Sequence, residues 1–162
     1  MSGDERAARE FLRHTVATLA YRGGKAIRGT PPTFPGFKAS PTSRTPGEVL
    51  AHVCDLLDWA LRLCKGEQRW TDTAPQAWEA DSRRFHEALR RLDADLASDS
   101  PLGFPAEKLF QGPVADALTH VGQIAMLRRM AGAPIRGENY FRAEIAPGGV
   151  GPDQPAPRFE FD

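Results

Sequence analysis

The stretch Thr45-Pro46-Gly47-Glu48-Val49-Leu50-Ala51-His52-Val53-Cys54-Asp55-Leu56-Leu57-Asp58-Trp59-Ala60-Leu61-Arg62-Leu63 decides the fold class of this chain. It opens as a capping box, Thr at the N-cap and Glu three residues on, with Pro at the first helical position, where its missing N–H costs nothing. Val49, His52, Val53, Leu56, Trp59, Ala60 and Leu63 then recur at spacings of three and four, the period of an amphipathic helix that closes near Gly66. His52 stands at the centre of that otherwise apolar stripe.

The same period predicts three more helices. Upstream, Ser2-Gly3-Asp4-Glu5 has the capping-box pattern, and Ala8, Phe11, Leu12, Thr15, Val16 and Leu19 share one stripe until Gly23-Gly24 weakens it. Downstream, a helix opening near Thr73-Ala74-Pro75-Gln76 places Trp78, Ser82, Phe85, Leu89, Leu92 and Leu96 on a narrow arc, with Arg83, Arg84, Glu87, Arg90 and Arg91 outside it. A fourth is bracketed by Gly112-Pro113 and by Gly132 with Pro134. Its apolar residues Val114, Ala117, Leu118, Val121, Ile124, Ala125, Met126 and Leu127 cover most of the circumference, which predicts the most buried helix.

The 15 glycines and 14 prolines fit this division. Eight lie in 29–47, five in 101–113 and ten in 132–162, so the breakers punctuate helices rather than prevent them. Four helices of about 20 residues with long connections predict an all-α four-helix bundle. The expectation is a single domain over 1–162, with the bundle at about 3–131 and an irregular tail at 132–162. Phe34 and Phe37 predict that the long loop between the first two helices packs on the body. Tyr140, Phe141, Ile145, Val150, Phe159 and Phe161 predict the same for the tail.

Lys plus Arg and Asp plus Glu both number 21, so no overall field favours nucleic acid or an anionic membrane. No apolar run reaches the 18 to 20 residues or so that a membrane span needs, and no signal segment opens the chain; both predict a cytoplasmic protein. Cys54 and Cys64 lie about 15 Å apart along one helix, cannot bridge each other there, and read as small core residues.

In a bundle the informative side chains are polar ones on the buried stripe. His52 is one. On the fourth helix Asp116, His120 and Gln123 share a face, four and three residues apart. An imidazole opposite a carboxylate–imidazole pair is a competent three-donor set for a divalent first-row metal, with coordination positions left open. Each residue also has a plain structural reading: a hydrogen-bonded core His52, an Asp116 that complements the helix dipole, and a His120 held by Asp116. Asp55 and Asp58 read as solvated or orienting groups, and His14 and His86 as surface or boundary residues. Ser82 and Trp59 are candidate pocket residues.

Leu50-Ala51-His52-Val53-Cys54-Asp55-Leu56-Leu57, followed by Asp116-Ala117-Leu118-Thr119-His120-Val121-Gly122-Gln123-Ile124, resembles the DinB superfamily, the DNA-damage-inducible and YfiT-like metal-binding bundles. The resemblance covers roughly residues 5–131. It implies an up-down-down-up four-helix bundle, a homodimer, and a site for zinc or nickel, with manganese or iron as alternatives. His52 and His120 match two family histidines; Asp116 replaces the third, which hardens the site. The resemblance also implies a thiol-dependent S-transferase, or a related metal-dependent transferase or hydrolase, that activates a low-molecular-weight thiol toward a small electrophile. Gln123 would orient His120 or hold a ligand oxygen, and the segment carrying Asn139 and Tyr140 would close over the site. The alternative is a non-catalytic, stress-associated dimeric bundle that binds a metal or small ligand. A ferritin-like di-metal oxidase is disfavoured because its Glu-x-x-His pairs are missing.

Overall fold

In the computed structural model, which describes residues 2–161, the chain forms helices α1 (Gly3–Ile27), α2 (Pro46–Cys64) and α3 (Trp78–Ala97), a short α4 (Ala106–Leu109), and α5 (Ala115–Met130). The chain is mostly helical, as the periodicity predicts. In α2 the capping box is closed in both directions: Glu48 N donates to Thr45 Oγ1 and Thr45 N donates to the Glu48 carboxylate. At α1 only half of it forms. Glu5 N donates to Ser2 Oγ, while the Glu5 carboxylate turns to Arg9.

Side-chain contacts fix the helix directions. Cys54 reaches the Asp81 carbonyl, Asp55 and Asp58 bind Arg84, and Gly103 N donates to the Cys64 carbonyl, so α2 and α3 run the same way. Arg9, early in α1, reaches the carbonyls of Leu96 and Ser98 at the end of α3, whereas Trp78 Nε1 donates to Ile27 O; α1 therefore opposes α3. Arg128 near the end of α5 donates to Ala26 O near the end of α1, so these two run together. The core between them is filled by Leu12, Leu19, Leu57, Phe85, Leu89, Leu92 and Ile124, all buried. Each such side chain contributes about 1.5 to 3 kcal/mol by leaving water. Gly23 does not end α1 but makes room: a Cβ there would meet Phe85 Cζ at 2.5 Å.

Several expectations are corrected. The α3 helix begins at Trp78, not near Thr73, because Asp55 and Asp81 take up the backbone N–H groups of Thr73 and Gln76 and hold that stretch extended. The fourth helical run does not start at Gly112-Pro113. Helical backbone begins at Ala106, passes through a π-helical turn over Phe110–Val114 that contains Pro113, and continues as α5. Proline has no N–H to give the α ladder, and Ala115 N donates back to Phe110 O, the wide register of a π turn.

Nor is α5 the most buried helix: Ala117, Val121, Ile124, Leu127 and Arg128 are buried, while Met126 and Met130 are more than half exposed. Phe11 is also exposed, although its spacing put it on the inner stripe. Asp55 is not solvated but buried against Arg84, and His86 is buried rather than at the surface.

Phe34 is fully buried and meets Trp78 edge to face, so the long loop packs as expected. The tail packs too. Its two short strands β1 (Gly137–Glu138) and β2 (Glu160–Phe161) pair antiparallel beside α1. The buried Glu138 carboxylate accepts from Tyr21 Oη at 2.6 Å and Lys25 Nζ at 2.8 Å, and Lys25 also reaches Glu160 at 2.7 Å.

Candidate metal centre

The opposed directions of α2 and α5 bring residues distant in sequence face to face. His52, Asp116 and His120 each offer one ligand atom, and the three atoms lie within 4.8 Å of one another. His120 Nε2 is 3.4 Å from Asp116 Oδ1, and His52 Nε2 is 3.9 Å from Asp116 Oδ2. The two imidazoles cross nearly at right angles, with centroids 4.7 Å apart. Donors about 2.1 Å from a tetrahedral centre are spaced about 3.4 Å from each other, so the cluster needs only small rotations to surround one ion.

Hydrogen bonding fixes what the donors present. His120 Nδ1 is 2.9 Å from Gln123 Oε1. A carboxamide oxygen only accepts, so Nδ1 carries the proton. Nε2 is then the nitrogen turned toward the Asp116 carboxylate, at 3.4 Å. Burial, reinforced by the nearby His120 and Arg44, pushes the His52 imidazole below its ordinary pKa, against the pull of Asp116, which favours the neutral, ligating form.

Asp116 is not explained by a helix terminus. The backbone before it is already helical from Ala106 through the π turn, so the dipole reading loses its geometric basis. His52 stands at the edge of the α2 stripe rather than at its centre, with 21% of its side chain exposed, and Asp116 is about half exposed. The cluster therefore opens to solvent. Beside it lies a cavity of about 400 Å³ lined by Arg44, Glu48, His52 and the extended stretch Asp72–Pro75.

The connection between α2 and α3 supplies a residue that periodicity does not reveal. Trp70 packs edge to face on His52, with centroids 5.5 Å apart, and on Trp59 at 5.8 Å. The connection is tied down at both ends, by Arg62 to Arg69 O and Thr71 Oγ1 and by Asp55 to Thr73 N. Trp59 therefore joins the site through Trp70. A lone tryptophan in a polar loop was the available signal; Arg44 carried none.

Three predicted residues go elsewhere. Ser82 lines a separate cavity between α1 and α3 and donates to Trp78 O at 2.6 Å. Tyr140 packs against Tyr21 and beneath Arg22, and Asn139 pairs with Phe159 O in the tail. Those contacts are with α1 and the tail itself, not with His52, Asp116 or His120. Cys54 and Cys64 are buried free thiols; burial pushes Cys64 up to about 12, so neither supplies a thiolate near neutrality. Compared with protein-family models, curated proteins and solved structures, the chain has no match.

Proposed function

We propose that this protein is a DinB-like metal-binding protein whose helices α1, α2, α3 and α5 form an up-down-down-up four-helix bundle, with one divalent transition-metal ion held by His52, Asp116 and His120. The observation that carries this reading is the convergence of three metal-competent donors from two helices onto one small volume. A hard carboxylate with two imidazoles suits zinc or nickel, and also manganese or iron. A metal held there supplies Lewis acidity to a thiol in an open coordination position, and the activity we infer is thiol-dependent S-transfer or a related transfer or hydrolysis.

The chain's own residues have separable tasks. Gln123 keeps the proton of His120 on Nδ1, leaving Nε2 directed at the site. Trp59 and Trp70 shield one side of His52 from water. Arg44, at the mouth of the adjoining cavity, is placed to meet an anionic group of the electrophile or thiol. The protein acts as a cytoplasmic homodimer in this reading. The exposed Phe11 and Phe110, which line one hollow, and the exposed Met126 and Met130 offer the apolar surface for it.

The test begins with protein purified without chelator. Elemental analysis of the wild type is expected to give about one ion per chain, and His52→Ala a small fraction of that. A metal-free wild type, or equal content in the variant, sinks the proposal. Loaded protein is then offered glutathione, mycothiol and bacillithiol with an aryl halide and with an epoxide. Turnover supports the transferase; its absence with every pair favours a non-catalytic metal-binding dimer.

A further inference from the structure

The cavity that takes Ser82 shares no lining residue with the one beside His52, and it is larger, about 600 Å³. That volume lies within the range of small-molecule sites. Three segments far apart in sequence wall it: the end of α1 with the following loop, one face of α3, and the tail at Pro152. Its floor is apolar. Trp78 and Ile27 are both buried, and the indole N–H is already engaged by Ile27 O, so the exposed part of the ring has no polar need of its own.

Trp78, Ser82 and His86 follow one another at spacings of four and therefore line one face of α3. His86 is 8% exposed; it hydrogen-bonds the Val150 backbone, while among the described residues its Nδ1 has no hydrogen-bond partner. Burial, with Arg28 and Arg90 nearby, pushes its pKa down, so the ring is neutral near pH 7. The tail side is held in shape by Gln154, whose amide donates to Gly149 O and Gly151 O, and by the buried Val150.

Around this floor stand Arg28, Arg83 and Arg90 with Glu79 and Glu87. Three guanidiniums against two carboxylates leave a surplus of one positive charge. Among the described residues none of the three arginines is engaged in an ion pair, in contrast to Arg13, Arg84 and Arg91, which are. A concave apolar floor under a rim with one surplus positive charge fits a ligand with an apolar body and a single negative head.

We propose that the cavity between α1, α3 and the tail is a second ligand site, independent of the metal centre, for a planar apolar monoanion: an aromatic carboxylate or sulfonate lying on Trp78 with its head among Arg28, Arg83 and Arg90. The ring fills the apolar hollow over Ile27 and the small accessible part of Trp78, and the guanidiniums supply fork-shaped donors to the head group.

The test uses 8-anilinonaphthalene-1-sulfonate as the anionic probe and N-phenyl-1-naphthylamine as its uncharged counterpart, titrated into the full chain with fluorescence detection. Saturable binding at one site is expected, together with a shift of the Trp78 indole N–H cross-peak in a nitrogen-15 correlation spectrum. The Arg83→Glu/Arg90→Glu double variant is expected to weaken the sulfonate by about tenfold or more and leave the neutral probe unchanged. Ser82→Phe, which fills the cavity, is expected to abolish both, and His52→Ala to change neither. Unsaturable binding, an unmoved Trp78 cross-peak, or equal sulfonate affinity in the charge-reversed variant overturns the proposal. The cross-peak and the surface charge reversal keep the test decisive even where Ser82→Phe fails to fold.

Discussion

Helix α2 carries two polar clusters only one turn apart, and they are built on opposite principles. Toward α3, Asp55 and Asp58 face Arg84 and Arg91: two carboxylates, two guanidiniums, with contacts of 2.8 and 2.9 Å besides the close Asp55–Arg84 pair. Toward α5, His52 faces Asp116 and His120, where a single carboxylate meets two imidazoles and the contacts are 3.4 and 3.9 Å. The first cluster is neutral within itself and runs from the buried Asp55 out to the half-exposed Arg91. The second has looser contacts and leaves one carboxylate to face two imidazoles, an arrangement compatible with metal binding. Buried charge that balances itself holds helices together; polar groups that converge without balancing point to a ligand.

The largest effect is expected in the charge-balanced cluster. Arg84→Ala leaves Asp55, 2% exposed, without its counter-charge. It is expected to cost about 3 to 4 kcal/mol of unfolding free energy, read from urea denaturation. A loss under about 1 kcal/mol places the seam among ordinary surface pairs.

The other half is expected to respond to metal instead. At a hundredfold excess over the dissociation constant, zinc should stabilise the wild type by about 2.7 kcal/mol and leave His52→Ala and Asp116→Ala unmoved in the same thermal melt. An equal shift in all three proteins means the ion binds elsewhere. Gln123→Leu sharpens the picture by removing only the group behind His120. Metal affinity is expected to fall about 10- to 100-fold in competition with a chromophoric chelator, with the fold intact. Unchanged affinity rules out an orienting role for Gln123.

The smallest effect concerns His86, a buried imidazole whose charged neighbours are arginines rather than a carboxylate. Its folded pKa lies below the ordinary value of about 6.5, so its contribution to stability is complete above that pH and is lost as the pH falls through the folded value. One such group contributes a slope of at most about 1.4 kcal/mol per pH unit. Denaturation at pH 7, 6 and 5 is expected to show a shallower acid loss in His86→Gln than in the wild type. Parallel curves reject this assignment.

Much of the fold was legible because its signals are local. Thr45 and Glu48 cap each other across three residues, and Val49 through Leu63 repeat every turn, so α2 could be read almost to its ends. The misreadings arise where a distant side chain overrides local preference. Thr73–Ala77 is held extended by Asp55, eighteen residues away, and Gly23 stays helical because Phe85 needs its space. Arg9 and Arg128 are each buried with the guanidinium on the carbonyls at another helix's end, a role that no periodicity announces. In the site, His52, Asp116, His120 and Gln123 were visible from helical spacing alone. Trp70 and Arg44 lie in loops, where spacing carries no directional information.

The turn over Phe110–Val114 sets the rotational phase of the helix that follows it. A π turn holds one residue more than the α-helix needs, so everything after it is rotated by about 100° relative to everything before it. Deleting a single residue there would leave both helical segments intact and swing Asp116 and His120 away from His52. The candidate centre therefore depends on a reading frame within the helix as much as on the identity of its three donors. Gain or loss of one residue near Pro113 is the shortest step by which such a chain could acquire or abandon a metal site without rebuilding its core.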